Sequence, residues 1–157
     1  MAPKVYIETT IVSYLTANPS ADVIKAAHQK VTKEWWNKQR RHFDLFASEF
    51  VTVEAAAGDQ IMAKRRLKIL NEIQLIAVRP VAIELGRTLV KRGPLPAKAE
   101  IDAFHIAVAA TSGMNYLLTW NCKHIANAQM QDGIGKICKA LGFEPPRICT
   151  PEELMGE

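Results

Sequence analysis

The sequence predicts an α/β domain with a three-layer α/β/α arrangement and a short, mainly parallel sheet. Two observations predict it. Short apolar segments alternate with helical segments along the whole chain, which implies parallel strands joined by helical crossovers. Runs such as Leu75-Ile76-Ala77-Val78 are apolar without alternation, as in strands covered on both faces. A chain of 157 residues, 48% of them hydrophobic, holds enough apolar material for one full core. We expect a single domain over 1–157, without repeats or low-complexity segments.

The elements follow in order. Lys4 to Ile7 is β-branched and aromatic, and reads as the first strand. Thr9 or Thr10 is placed to cap the next helix, which carries Ile11, Val12, Tyr14 and Leu15 and is broken by Asn18-Pro19-Ser20. From about Ala21 to Arg41, Ile24, Ala27, His28, Val31, Trp35 and Lys38 follow helical steps. Asp44 to Ala47 is a second strand. Ser48 opens a helix to Ala57 that Gly58 closes, and Asp59 caps the next. Leu75 to Val78 is a third strand, and Pro80 precedes a helix over Val81 to Arg92. The Gly93-Pro94-Leu95-Pro96 loop leads to an Ala-rich helix from about Ala97 to Ser112, ended by Gly113. Tyr116 to Thr119 is the fourth strand. A helix from about Ile134 to Leu141 and a short strand Arg147-Ile148-Cys149 complete the pattern.

Composition narrows the function. No apolar run approaches the ~20 residues needed to cross a bilayer. The N-terminus lacks the apolar core of a signal peptide, so a cytoplasmic protein is expected. Net charge is +4, a mild bias toward polyanionic partners. Three cysteines without a C-x-x-C pair predict reduced thiols rather than a disulfide framework. No P-loop and no G-x-G-x-x-G is present, which argues against nucleotide binding through those motifs.

The chemistry-bearing candidates are acidic. Glu8 follows the first strand, where a carboxylate also suits a helix N-terminus. Glu54 lies among Val51, Val53 and three alanines, with Glu49 one turn earlier as a substitute. Asp102 sits amid Ile101, Ala103, Phe104 and Ile106, an expensive place for an acid unless it meets solvent or a counter-ion. Pairing with Lys98 would be the plain explanation, and His105 shares its helix face. Asn121 ends the fourth apolar run, and a simple cap of Cys122 to Ile125 would also explain it. Three carboxylates and an amide oxygen are suitable ligands for Mg²⁺ or Mn²⁺, and such ions support phosphodiester hydrolysis. Basic residues Lys30, Lys33, Lys38, Arg40 and Arg41 surround Trp35-Trp36, and Lys64, Arg65, Arg66 and Lys68 form a second cluster. Exposed, these could track phosphates and stack on bases; a core position is expected for at least one of the two tryptophans.

Four segments in order resemble the acidic motifs of PIN-domain proteins of the VapC toxin kind: Tyr6-Ile7-Glu8-Thr9-Thr10, Ser48 through Asp59, Asp102-Ala103-Phe104-His105-Ile106-Ala107, and Leu117-Leu118-Thr119-Trp120-Asn121. The resemblance covers nearly the whole chain. It implies an α/β/α sheet, Mg²⁺- or Mn²⁺-dependent endoribonuclease activity on RNA, a homodimer and an antitoxin partner. It assigns Glu8, Glu54 and Asp102 to the metal, with Asn121 in the fourth position and Thr9 or Thr10 in support; His105, on the helix face of Asp102, is a further supporting candidate, and a satisfied histidine at the core edge would equally explain it. Two positions depart from the pattern: Glu8 and Asn121 each stand where Asp is typical. Asn121 motivates a second reading, a PIN-fold module that binds nucleic acid or antitoxin and cleaves poorly.

Overall fold

The computed structural model describes residues 1–156. In these residues β1 (Lys4–Ile7), β2 (Asp44–Ala47), β3 (Gln74–Leu75), β4 (Tyr116–Leu118) and β5 (Arg147–Cys149) form one sheet in the order β3-β2-β1-β4-β5. Every pairing is parallel. Parallel neighbours need crossovers, and the helices supply them: α1 (Thr9–Thr16), α2 (Val23–Lys38), α3 (Glu49–Ala55), α4 (Gln60–Leu70), α5 (Pro80–Lys91), α6 (Glu100–Thr111) and α7 (Gln131–Ala140). Helices α1 to α4 pack among themselves, and α5 packs on α6 and α7. The result is the expected α/β/α architecture, with the sheet parallel throughout.

β1 is the central strand and is buried after its first residue. Its register sets Val5 beside Leu45 on one side and Tyr116 on the other. The chain leaves β1 toward β2 on one flank and returns later to β4 on the opposite flank. That reversal leaves a crevice at the carboxyl ends of β1 and β4, the usual ligand site in open α/β sheets. Glu8 and Thr119 are the first residues beyond those ends.

Several boundaries differ from the sequence expectation, three of them for identifiable physical reasons. Glu8 itself caps α1, its side chain accepting from Thr10 N–H, so Thr9 and Thr10 lie inside the helix. β3 is shorter than Leu75 to Val78, because only Gln74 and Leu75 find partners along β2; Ile76 adds one bond to Ala47 O. The long second helix stops at Lys38, and Arg40–His42 forms a separate 3₁₀ turn. Gly58 and Gly113 behave as expected, closing α3 and α6 at φ +82° and +71°.

Helix α6 is the core helix. Every residue from Ala103 to Thr111 is buried, so only its first turn, carrying Glu100, Ile101 and Asp102, reaches the surface. Both Trp35 and Trp36 are buried. Trp35 Nε1 donates to Leu154 O at 3.1 Å, tying the C-terminal segment to α2. The Arg40 guanidinium lies 4.2 Å over the Trp36 ring and Arg40 pairs with Glu72, so this aromatic pair is structural rather than a base-stacking surface. None of the three cysteines is in a disulfide. Among the described residues no helix is long and apolar enough to cross a membrane.

Candidate metal centre

The fold brings Glu8, Glu54 and His105 together. One ligand atom from each lies within 4.8 Å of the others. They arrive from the end of β1, the last turn of α3 and the second turn of α6, three segments distant in sequence.

Glu8 is 3% exposed. Its Oε1 accepts from Thr10 Oγ1 at 2.5 Å, Thr10 N at 3.2 Å and Thr119 Oγ1 at 2.6 Å. The local sequence explains the geometry: Glu8 is extended, Thr10 lies in the first helical turn, and β4 pairing places Thr119 alongside. Trp120 N–H donates to Thr10 Oγ1 at 2.8 Å, and Asn121 N–H donates to Thr119 Oγ1 at 2.9 Å. Both hydroxyls are therefore aimed, each accepting a backbone bond while donating to Glu8. Burial pushes the Glu8 carboxyl above the usual range, and the attraction of His105 and the bonds from Thr10 and Thr119 only partly offset it.

Glu54 is half-exposed. Burial opposes its ionisation, but the bond and charge of His105 and the bond from Thr9 outweigh it, so its carboxyl sits below the ordinary value. Its Oε1 takes both Thr9 Oγ1 and His105 Nε2 at 2.6 Å. His105 is completely buried, and its Nδ1 lies 2.7 Å from Tyr6 Oη, which lies 2.7 Å from Ser48 Oγ. Burial holds the Tyr6 phenol protonated far above its usual range, against the opposing bond to Ser48. With Glu54 ionised, Nε2 must carry the proton it shares with that carboxylate. In a neutral ring Tyr6 donates to Nδ1; in a charged ring Nδ1–H donates to Tyr6. Either way His105 acts as the donor that aims Glu54.

Asp102 lies outside this group, one turn before His105 on the same face of α6. It does not pair with Lys98. Its Oδ2 is 3.1 Å from His124 Nδ1, both side chains being mostly buried. Asn121 Oδ1 accepts from His124 N at 3.0 Å, and its carbonyl takes Ile125 N and Ala126 N. Asn121 thus caps the turn that carries His124. Glu49 is exposed and takes no part. Thr119, Tyr6 and Ser48 belong to this constellation without having stood out as site candidates in the sequence; His124, which with Cys122 could suggest a metal but lacks a second Cys/His pair nearby, joins through Asp102. Hydroxyls in apolar strands are common, and only strand register reveals which ones face a carboxylate.

The donor chemistry fits a hard divalent cation. Glu8 is a buried carboxylate with hydroxyl and N–H partners but, among the described residues, no Lys, Arg or His within ion-pair distance. A buried anion without a counter-ion is costly. A second carboxylate beside it raises that cost and gives the oxygen ligands that Mg²⁺ and Mn²⁺ prefer.

Comparisons with known proteins agree with this architecture. No protein-family profile matches the chain, and no curated protein sequence does. Solved structures do match. Mycobacterium tuberculosis VapC20, described as a Sarcin-Ricin loop cleaving toxin, superposes with a TM-score of 0.60 at 14% identity, over 90% of this chain and 99% of that one. A chain of VapBC2 from Rickettsia felis, in a structure bound to a DNA fragment from their promoter, gives 0.59 at 13% identity, over 94% and 98%. The chain therefore has the PIN-like α/β fold of these VapC structures.

Proposed function

We propose that this chain is a Mg²⁺- or Mn²⁺-dependent endoribonuclease acting as the toxin of a toxin–antitoxin pair. The carrying observation is Glu8 beside Glu54, two carboxylates at the sheet's crevice with Glu8 buried and lacking an ion-pair partner. The fold shared with VapC20, itself described as a Sarcin-Ricin loop cleaving toxin, supports the same reading.

Glu8 and Glu54 would hold the ion. A bound divalent cation supplies positive charge against phosphate oxygens and eases ionisation of an attacking water. The chain's own groups set the rest. Thr10 and Thr119 fix one oxygen of Glu8, and His105 and Thr9 fix one oxygen of Glu54, so each carboxylate is oriented before substrate arrives. Asp102 is the third carboxylate of the proposal. Its Oδ2 contacts His124, and Oδ1 is the oxygen outside that contact. The Asn121 amide oxygen is engaged by His124 N, which favours a positioning role for Asn121 over direct ligation.

The partners of the proposal are RNA, an antitoxin and a second copy of the chain. Val23, Ile24, Val53 and Ile61 are large apolar side chains exposed on the helices, and a protein partner would cover surface of this kind. The alternative of a weakly cleaving binding module rests on Asn121 alone.

RNA cleavage with and without Mn²⁺ tests the proposal. Glu8→Gln and Glu54→Gln should each lower Mn²⁺-stimulated cleavage by at least about 100-fold, the upper end of what losing a supporting group costs a metal site. Cleavage that is indifferent to Mn²⁺ and to both substitutions would overturn it.

A further inference from the structure

A cleft between α1 and α2 shares Thr10 with the candidate metal centre. It has a volume of about 470 Å³ and is lined by Thr10, Tyr14, Ala17, Asn18, Lys25 and Gln29, among others. This is within the range of small-ligand sites, roughly 300–1,000 Å³. Thr10 belongs to both places: its hydroxyl donates to Glu8, and it also lines the cleft.

The cleft is held open by polar bonds that ligand binding would not have to make. Gln29 is buried, accepts from Ser20 N and donates to Asn18 O, each at 3.0 Å, which fixes the far wall. Tyr14 meets His28 and Trp120 edge-on, and those two rings stack on each other at 3.9 Å. Tyr14 is thus braced from behind and offers its remaining surface to the cleft. The lining is mostly carbon, yet its rim is cationic. Lys25 is exposed on α2, and Arg65 reaches from α4 to Asn18 Oδ1 at 3.0 Å.

We infer that this cleft is a subsite for one unpaired RNA base adjacent to the scissile phosphate, with Lys25 and Arg65 meeting the flanking phosphates. The inference rests on the nuclease reading of the Glu8–Glu54 centre. An apolar slot with one aromatic wall suits the face of a base, and stacking of this kind contributes about 1–3 kcal/mol per base. The cationic rim complements the backbone on either side of it. The occupant lies next to the reacting phosphate because Thr10 joins the slot to the carboxylates.

Ala17→Phe fills the slot from a position outside the metal centre, and Lys25→Ala removes one rim cation. A single-stranded RNA pool of randomised sequence is cleaved in Mn²⁺ and its ends are sequenced. The wild type should show a base preference at one position flanking the cut. Ala17→Phe should reduce that preference at least tenfold while keeping Mn²⁺-induced thermal stabilisation. Lys25→Ala should weaken binding of a fluorescein-labelled single-stranded RNA and lower its salt-dependence slope by about one. If the wild type cleaves no RNA, the nuclease reading fails. The subsite is then read from labelled-RNA affinity alone, where a tenfold loss in Ala17→Phe supports it. Unchanged preference and unchanged RNA affinity in Ala17→Phe overturn the proposal and assign the cleft to another occupant, such as a peptide.

Discussion

Glu8 and Thr119 show how single residues divide the work at the centre. The carboxylate is buried at a net cost, and Thr119 Oγ1 supplies one of the bonds that orient it. In metal-free buffer Glu8→Gln should raise the melting temperature by about 2–4 °C, as expected for relief of about 1 kcal/mol in a domain of this size. The same variant should lose the stabilisation by Mn²⁺ expected of the wild type. Calorimetric melts with EDTA and with Mn²⁺ read both effects; equal Mn²⁺ shifts in the two proteins would remove Glu8 from the site. Thr119→Val keeps the shape but removes a donor, and should weaken Mn²⁺ affinity by about 10–100-fold in a titration. Glu8 and Glu54 were legible in the sequence because each is an acid where apolar patterning leaves little room for one. Thr119 was not, since a threonine ending a strand needs no further explanation until β1 and β4 are paired. The thiols give a pH-dependent readout. Burial pushes Cys138 up to about 11 and Cys149 up to about 12, against the ordinary value near 9.0. Both stay protonated below those values, so at pH 8 iodoacetamide should modify only exposed Cys122 in the native state, as peptide mapping would show.

At the scale of elements, the α5–α6 contact is the tightest feature of the helical layers. A Cβ added at Gly86 would stand 2.3 Å from Phe104 Cδ1 and 3.4 Å from its Cα. Phe104 is itself held by stacking on Phe50 at 5.0 Å, so it has little freedom to yield. Gly86→Ala should therefore destabilise the fold by about 1–3 kcal/mol in urea denaturation, despite its better helix propensity. An unchanged midpoint would show that Phe104 can repack. The displacement would also reach the centre, because Phe104 precedes His105 on α6. Gly58, Gly113 and the Asp59 cap were readable because each acts through local backbone geometry. The length of β3 was not readable, because it is set by how far β2 runs alongside it.

Over the whole molecule, alternating apolar and helical segments were enough to predict the α/β class, but Leu75, expected in a strand covered on both faces, is 52% exposed in the edge strand β3. The segments did not specify which strand would be central, since that depends on pairing between residues more than a hundred positions apart, such as Val5 and Tyr116. The site inherits this long reach. Its acids lie in three separate segments, and periodicity alone gives no sign that α3 and α6 deliver their side chains to one crevice. His124 is the clearest case: only the loop after β4, folded back over the first turn of α6, brings it to Asp102.

The order β3-β2-β1-β4-β5 also has a temporal side. The first strand to emerge from a ribosome receives its second flank only after some 118 residues have been made, because that flank is Tyr116–Leu118. Until then the hydroxyl of position 119 is still missing from Glu8, and a growing chain holds a half-built centre. On this topology the candidate centre stays incomplete while the chain is being made, and is completed only as its last third folds.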